Sequence, residues 1–273
     1  MLPTERSLPK FENPPVVETV LAVEFEPLAG WGIPLFGLYW ELIREEYPTH
    51  ESGPALPPSG MTGGPQFPGV FIRAGSGSPF DARCMFHHAK GDRLIQIQGD
   101  RFIHNWRRTG AGGYLGYDRI RQIFESEWNR FCEFIGQQGI QPPVLRSCEV
   151  TYLNHLVRGE GWEKFSEMNA LLRYWTKEPT GFLPAPDHTA MNMQYQIPDN
   201  KGSLVVQLQP SIRMTDGKEI VQLNLTARGL PATSDILGIL SWMDLGHEWI
   251  VRGFDDITPD GLHKIWKKME EPR

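Results

Sequence analysis

Apolar and polar residues alternate over residues 16–26. Val17, Leu21, Val23 and Phe25 fall on one side of an extended chain, and Glu18, Glu24 and Glu26 on the other. This period of two marks a half-buried strand. Residues 35–46 have helical spacing and stop at Pro48. Residues 48–68 are rich in Pro, Gly and Ser and predict an exposed loop. Strands are predicted at 69–74, 82–89, 93–98 and 101–108, with Lys90-Gly91-Asp92 and Gly99-Asp100 as hairpin turns. Residues 117–137 then carry an apolar stripe, Ile120, Ile123, Phe124, Trp128, Phe131 and Phe134, that predicts an amphipathic helix.

After Gln141-Pro142-Pro143 the pattern restarts. It predicts a strand at 145–155, a helix at 162–175 and a Pro/Gly stretch at 179–186. Strands follow at 191–197, 203–214 and 218–228, with turns at Asp199-Asn200-Lys201-Gly202 and Asp216-Gly217. A long helix at 234–254 and a short one at 259–268 close the chain. The run Leu94-Ile95-Gln96-Ile97-Gln98 returns as Val205-Val206-Gln207-Leu208-Gln209, and each is followed by a strand with an asparagine, Asn105 or Asn224. The expectation is an α+β fold built from an internally duplicated strand–helix–strands–helix unit. Residues 1–13 form an extended arm, and 14–140 and 144–268 are the two repeats of one continuous structure. Together they make a curved, saddle-like antiparallel sheet with helices on one face. The element order resembles the duplicated saddle of the TATA-binding protein, in topology only.

Hairpin register assigns side chains to faces. A two-residue turn at Gly99-Asp100 sets Gln98 opposite Arg101 and Gln96 opposite Ile103. One face then carries Gln96, Gln98, Arg101, Asn105 and Arg107; the other carries Ile95, Ile97, Phe102, His104 and Trp106. In the second half, a turn at Asp216-Gly217 sets Gln209 opposite Asn224 and Gln207 opposite Thr226. One face then holds Gln207, Gln209, Arg213, Gln222, Asn224 and Arg228, and the other Val206, Leu208, Ile212, Met214, Val221, Leu223 and Leu225. The apolar face belongs under helices. The polar face, with Glu24 at its edge, is either a solvated sheet surface or a binding surface of hydrogen-bonding amides and arginines.

Composition narrows the chemistry. The chain has 273 residues and a net charge of -6, which argues against nucleic acid as a partner. Its three cysteines lack CxxC spacing, and no apolar run is long enough to span a bilayer, so a cytoplasmic protein is expected, with no membrane partner. Cys84, His87 and His88 are possible ligands, but no second cluster has metal spacing, and no metal or cofactor is expected. His247 in the last long helix reads as a packed or capping histidine, and Cys148 has no histidine at nucleophile spacing. Glu18, Glu24 and Glu149 on the sheet face are the candidates for a metal-dependent hydrolase or nuclease. The Gly110-Ala111-Gly112-Gly113 run lacks the Lys-Ser/Thr of a phosphate loop. Trp106 and Arg107 point to opposite faces, against base stacking beside a phosphate contact.

The segments Asn13-Pro14-Pro15-Val16-Val17-Glu18, Val23-Glu24-Phe25-Glu26-Pro27-Leu28 and Gln96-Ile97-Gln98-Gly99-Asp100-Arg101, the last followed by Asn105-Trp106-Arg107, resemble a sporadically distributed prokaryotic family of about this length. Tyr152-Leu153-Asn154, His247, Phe254 and Trp266 extend the resemblance over nearly the whole chain. The resemblance brings no established activity and no catalytic residue. Its patchy distribution implies a setting in mobile elements or defence. The functional expectation is a non-catalytic binding protein. It would use the polar sheet face, or the cleft between its halves, to engage a protein or a small polar ligand.

Overall fold

The alternation at residues 16–25 becomes the first strand of a broad sheet. Leu21, Val23 and Phe25 are fully buried on one side. The computed structural model describes residues 7–57, 82–110, 112–175, 181–184 and 186–270. Its elements run β1 (Val16–Phe25), α1 (Ile33–Ile43), β2 (Thr49–Pro54), β3 (Ala82–His87), β4 (Arg93–Gln98), β5 (Arg101–Arg107) and α2 (Tyr117–Gln137). They continue as β6 (Leu145–Val157), β7 (Met191–Ile197), β8 (Gly202–Ile212), β9 (Glu219–Gly229), α3 (Ile236–Ile257) and α4 (Asp260–Ile265). The described strands form one open antiparallel sheet in the order β2-β3-β4-β5-β1-β6-β9-β8-β7. The fold class is therefore α+β, as expected.

The helices cover one face of this sheet because the apolar side chains lie there. Phe25 and Phe102 meet Trp128 and Phe131 of α2, with Phe102 and Phe131 5.2 Å apart between centroids. Tyr39 of α1 packs edge-on against Phe86 of β3. On the other side of β1, Gly246 lets α3 approach the sheet, since a Cβ there would sit 3.2 Å from Val150 and 3.3 Å from Ala227. Burying apolar area at about 25 cal/mol per Å² drives this packing. A polar cluster is enclosed within it. Glu127 of α2 accepts from the Tyr47 hydroxyl and lies 2.6 Å from His104 Nδ1, with both Glu127 and His104 buried.

Several expectations need correction. The segment expected as an exposed loop supplies β2, which pairs along the outer edge of β3 from Thr49 opposite His87 to Pro54 opposite Ala82. Its sequence, Thr-His-Glu-Ser-Gly-Pro, has little strand propensity. The unpaired backbone of β3 provides the hydrogen bonds instead. The strand expected at 69–74, and the rest of the Pro/Gly loop from 58 onward, lie outside the described residues. The helix expected at 162–175 is reduced to one 3-10 turn, Met168–Ala170. There the Glu167 carboxylate accepts the N–H groups of Glu163 and Lys164 at 2.8 and 3.3 Å, folding the chain back on itself. Arg173 N–H is drawn to the Ile257 carbonyl at the end of α3. Within the expected arm, residues 11–13 are held by the C-terminal segment. Glu12 N–H bonds Lys267 O, and Asn13 N–H bonds Trp266 O, both at 3.1 Å.

The first hairpin has the expected register, Gln98 opposite Arg101 and Gln96 opposite Ile103. The second is displaced by two residues: Gln209 faces Gln222, and Gln207 faces Asn224. Arg213 N–H bonds Lys218 O at 2.8 Å, which closes a wider loop over residues 214–217. Asp216 holds that loop by gripping Arg213 Nε at 2.9 Å and accepting Lys218 N–H at 3.3 Å. A slip of two leaves every side chain on its expected face. Ile212 and Met214 run past the helices, however, and are exposed.

Candidate sheet-face interface

The polar face is not uniform. In the first half it is covered by the chain itself. Residues 55–57 leave β2 and cross the face above β4 and β5. The Leu56 N–H donates to Gln98 Oε1 at 2.8 Å, and Gln98 Nε2 donates to the Leu56 carbonyl at 3.2 Å. Arg101 Nη2 donates to the Pro57 carbonyl at 3.1 Å. Gln98 is 3% exposed and Arg101 7%, and Gln96 and Asn105 are buried as well. The expectation that Gln96, Gln98, Arg101 and Asn105 lie open to solvent is corrected here. The face assignment was right, but a crossing segment that period-two patterning cannot foresee covers it.

On the same face the side chains hydrogen-bond in a line across four strands. Arg83 Nη1 of β3 donates to Gln96 Oε1 at 3.1 Å, and Gln96 Nε2 to Asn105 Oδ1 at 2.8 Å. Asn105 Nδ2 and Arg107 Nε then both donate to Glu18 Oε1, at 2.6 and 3.1 Å. Glu24 is likewise occupied, by Arg101 Nη2 at 3.3 Å and the Ser147 hydroxyl at 3.2 Å. Glu149 accepts Arg228 Nε at 3.0 Å and the Thr151 hydroxyl at 3.0 Å. The three carboxylates proposed for hydrolase chemistry thus each hold an arginine. Among the described residues no three His, Cys, Asp or Glu side chains converge to hold a metal ion.

The second half keeps its face open. Gln209 is exposed, and Gln207, Gln222, Asn224, Arg213 and Arg228 are half-buried. Gln209 Nε2 donates to Gln222 Oε1 at 2.9 Å across the hairpin. Gln207 makes no side-chain hydrogen bond among the described residues. Asn224 Oδ1 and His155 Nδ1 are shielded from solvent without a partner. Burial lowers the His155 pKa, with Arg213 adding to the effect, so the ring favours its neutral form. Sequence reasoning missed three members of this surface. Asn192, Gln194 and Gln196 on β7 stand opposite Gln207, Val205 and Ser203, and all three are exposed. The signal was present in the strict alternation of Met191-Asn192-Met193-Gln194-Tyr195-Gln196-Ile197.

His247, expected as a packed histidine, stacks on Tyr117 with ring centroids 3.8 Å apart, on the helix side of the sheet. Of the three possible ligands, Cys84 lies opposite Ile97 on the helix side. His87 lies on the polar face, 3.2 Å from Glu51. No family model matches the chain, and no curated protein matches it significantly. Among the described residues no helix is long and apolar enough to cross a membrane.

Proposed function

We propose that this chain is a non-catalytic binding protein that captures an extended peptide segment of another protein on the open polar face of its second half. The supporting observation is a mimic that the chain supplies for itself. In the first half, the side-chain amide of Gln98 brackets both the N–H and the carbonyl of Leu56 in a segment laid across the face. Gln209 holds the matching strand position in the second half, exposed, beside Gln207 and Asn224 with unused hydrogen-bonding capacity. Recognition through backbone amides needs such paired donors and acceptors, which glutamine and asparagine provide without charge.

In this reading the two halves are copies of one unit and the sheet forms a saddle. The strand order supports it: outward from the centre it runs β1, β5, β4, β3 on one side, with β2 added at the edge, and β6, β9, β8, β7 on the other. The ion pairs support it too. Glu18 faces Arg107 between β1 and β5, as Glu149 faces Arg228 between β6 and β9. The three free cysteines fit a reducing compartment, and the proposed setting is the cytoplasm.

The test is selection of proline-containing peptides from a displayed library on the wild type. Recovered peptides are then measured on a variant with Gln207, Gln209, Gln222 and Asn224 all changed to Ala. Peptides that bind the wild type and lose at least about tenfold on the folded variant, roughly 1.4 kcal/mol, support the reading. Equal binding to both proteins removes it.

A further inference from the structure

The helix side of the sheet holds a cleft that is independent of the sheet-face reading. It has a volume of about 1100 Å³ and opens between α2, α3 and residues 7–14, with Tyr152 and Asn154 of β6 among its lining. The arm that walls it is fixed by Phe11, whose ring lies edge-on to Phe254 at 5.6 Å and to Trp266 at 6.2 Å.

Four of the charged groups around this cleft are already paired with one another. The Arg121 guanidinium grips Asp244 through Nε at 2.7 Å and Nη2 at 3.1 Å, and the Tyr117 hydroxyl donates to the same carboxylate at 2.8 Å. Arg252 Nε donates to Glu248 at 2.8 Å. A charged ligand that drew on these four groups would have to break one of the pairs.

The uncharged groups are not all matched. The Tyr114 hydroxyl donates to the Tyr152 hydroxyl at 2.8 Å, which leaves the Tyr152 proton for His247 Nδ1, also at 2.8 Å. The neutral imidazole then carries its hydrogen on Nε2, which has no partner among the described residues. Burial pushes the His247 pKa from 6.5 down to about 4, so the ring is neutral near pH 7. Asn154 is 1% exposed. Its Nδ2 donates to the carbonyls of Leu223 at 2.8 Å and Tyr152 at 3.4 Å, and its Oδ1 is buried with no partner. A buried acceptor left unpaired is costly, and a ligand that supplies the donor removes that cost.

We propose that the cleft binds a neutral ring compound of the cyclic amide or nucleobase class, with its N–H on Asn154 Oδ1 and its carbonyl on His247 Nε2–H. Aromatic walls and a few placed polar groups are the usual make-up of such a pocket. Tyr114, Tyr117 and Phe11 supply the flat apolar surfaces.

The test uses the full chain and saturation-transfer NMR with four ring probes of similar size: uracil and 2-pyridone, which are neutral cyclic amides, and benzoate and benzamidine, which are charged. Uracil and 2-pyridone are expected to receive saturation and to compete with each other, with the charged rings at least about tenfold weaker. Val251 lines the cleft one helical turn after His247, so Val251→Trp is expected to crowd the space beside that ring and abolish the signal. His247→Phe, which keeps an aromatic ring against Tyr117, is expected to weaken binding about tenfold. Far-UV dichroism checks that both variants fold, and Val251→Trp alone decides if His247→Phe does not. No signal from either cyclic amide, equal signals from all four probes, or cyclic-amide binding that survives Val251→Trp would overturn the proposal.

Discussion

Acid should destabilise this protein through His247, and the size of the effect is set by its surroundings. The ring stacks on Tyr117, bonds Tyr152 and lies near Asp118, Asp244 and Glu248. Burial outweighs the attraction of those three carboxylates and lowers the pKa from 6.5 to about 4. A base with a depressed pKa is neutral in the fold while the unfolded chain already takes up a proton. The stability it contributes is complete above about pH 6.5. It falls as the pH drops towards about 4, and below that no more is lost. A shift of about 2.5 units at 1.36 kcal/mol each sets a ceiling of about 3 kcal/mol on the loss. The assay is urea unfolding of the wild type and His247→Gln at steps from about pH 7 to pH 4. Other groups also titrate: Asp216, for example, is held down to about 2 by the Arg213 guanidinium and loses its proton at lower pH than usual. Their effects are common to both proteins and cancel in the difference. The wild type should lose up to about 3 kcal/mol more than the variant across this range. Parallel stability curves would refute the reasoning, and would mean that His247 is solvated well enough to titrate normally.

Three further outcomes are expected. Glu127→Ala removes the acceptor shared by Tyr47 and His104 in the core and leaves both buried partners unpaired, which should cost about 1–3 kcal/mol for each in denaturant unfolding. Gly202→Ala should destabilise severely or block folding, read as lost soluble expression or a lowered melting temperature. Gly202 has φ +135°, and a Cβ there would sit 2.1 Å from the Arg228 carbonyl oxygen. Gln98→Ala should cost about 1–3 kcal/mol, because it leaves the Leu56 N–H and carbonyl unpaired, whereas Gln209→Ala on the open face should be near neutral in the same assay.

Local periodicity was legible in the chain alone, and so were the elements that depend only on it. The alternation in 93–98 and 191–197, and the apolar stripe of 117–137, reappear as β4, β7 and α2 with the bounds expected. A strand that buries one face must alternate, so polar Gln96 and Gln98 separate from apolar Ile95 and Ile97 whatever the chain around them does. Gly99-Asp100 also fixed the first hairpin, since a two-residue turn leaves no freedom in register. Asp216-Gly217 did not, because Asp216 binds Arg213 and widens the loop, a competition between side chain and turn that dipeptide rules omit. Long-range packing settled which part of the polar face stays open. Gln98 and Gln209 look alike in sequence, yet Leu56 is laid across the first, which is buried, and the second is exposed. Packing also made Thr49–Pro54 a strand, because the hydrogen bonds come from the neighbouring edge and not from propensity. The cleft is of the same kind. Tyr114, Tyr152, Asn154 and His247 come from separate segments, and docking of α2, α3 and the N-terminal arm brings them together at distances no local pattern encodes.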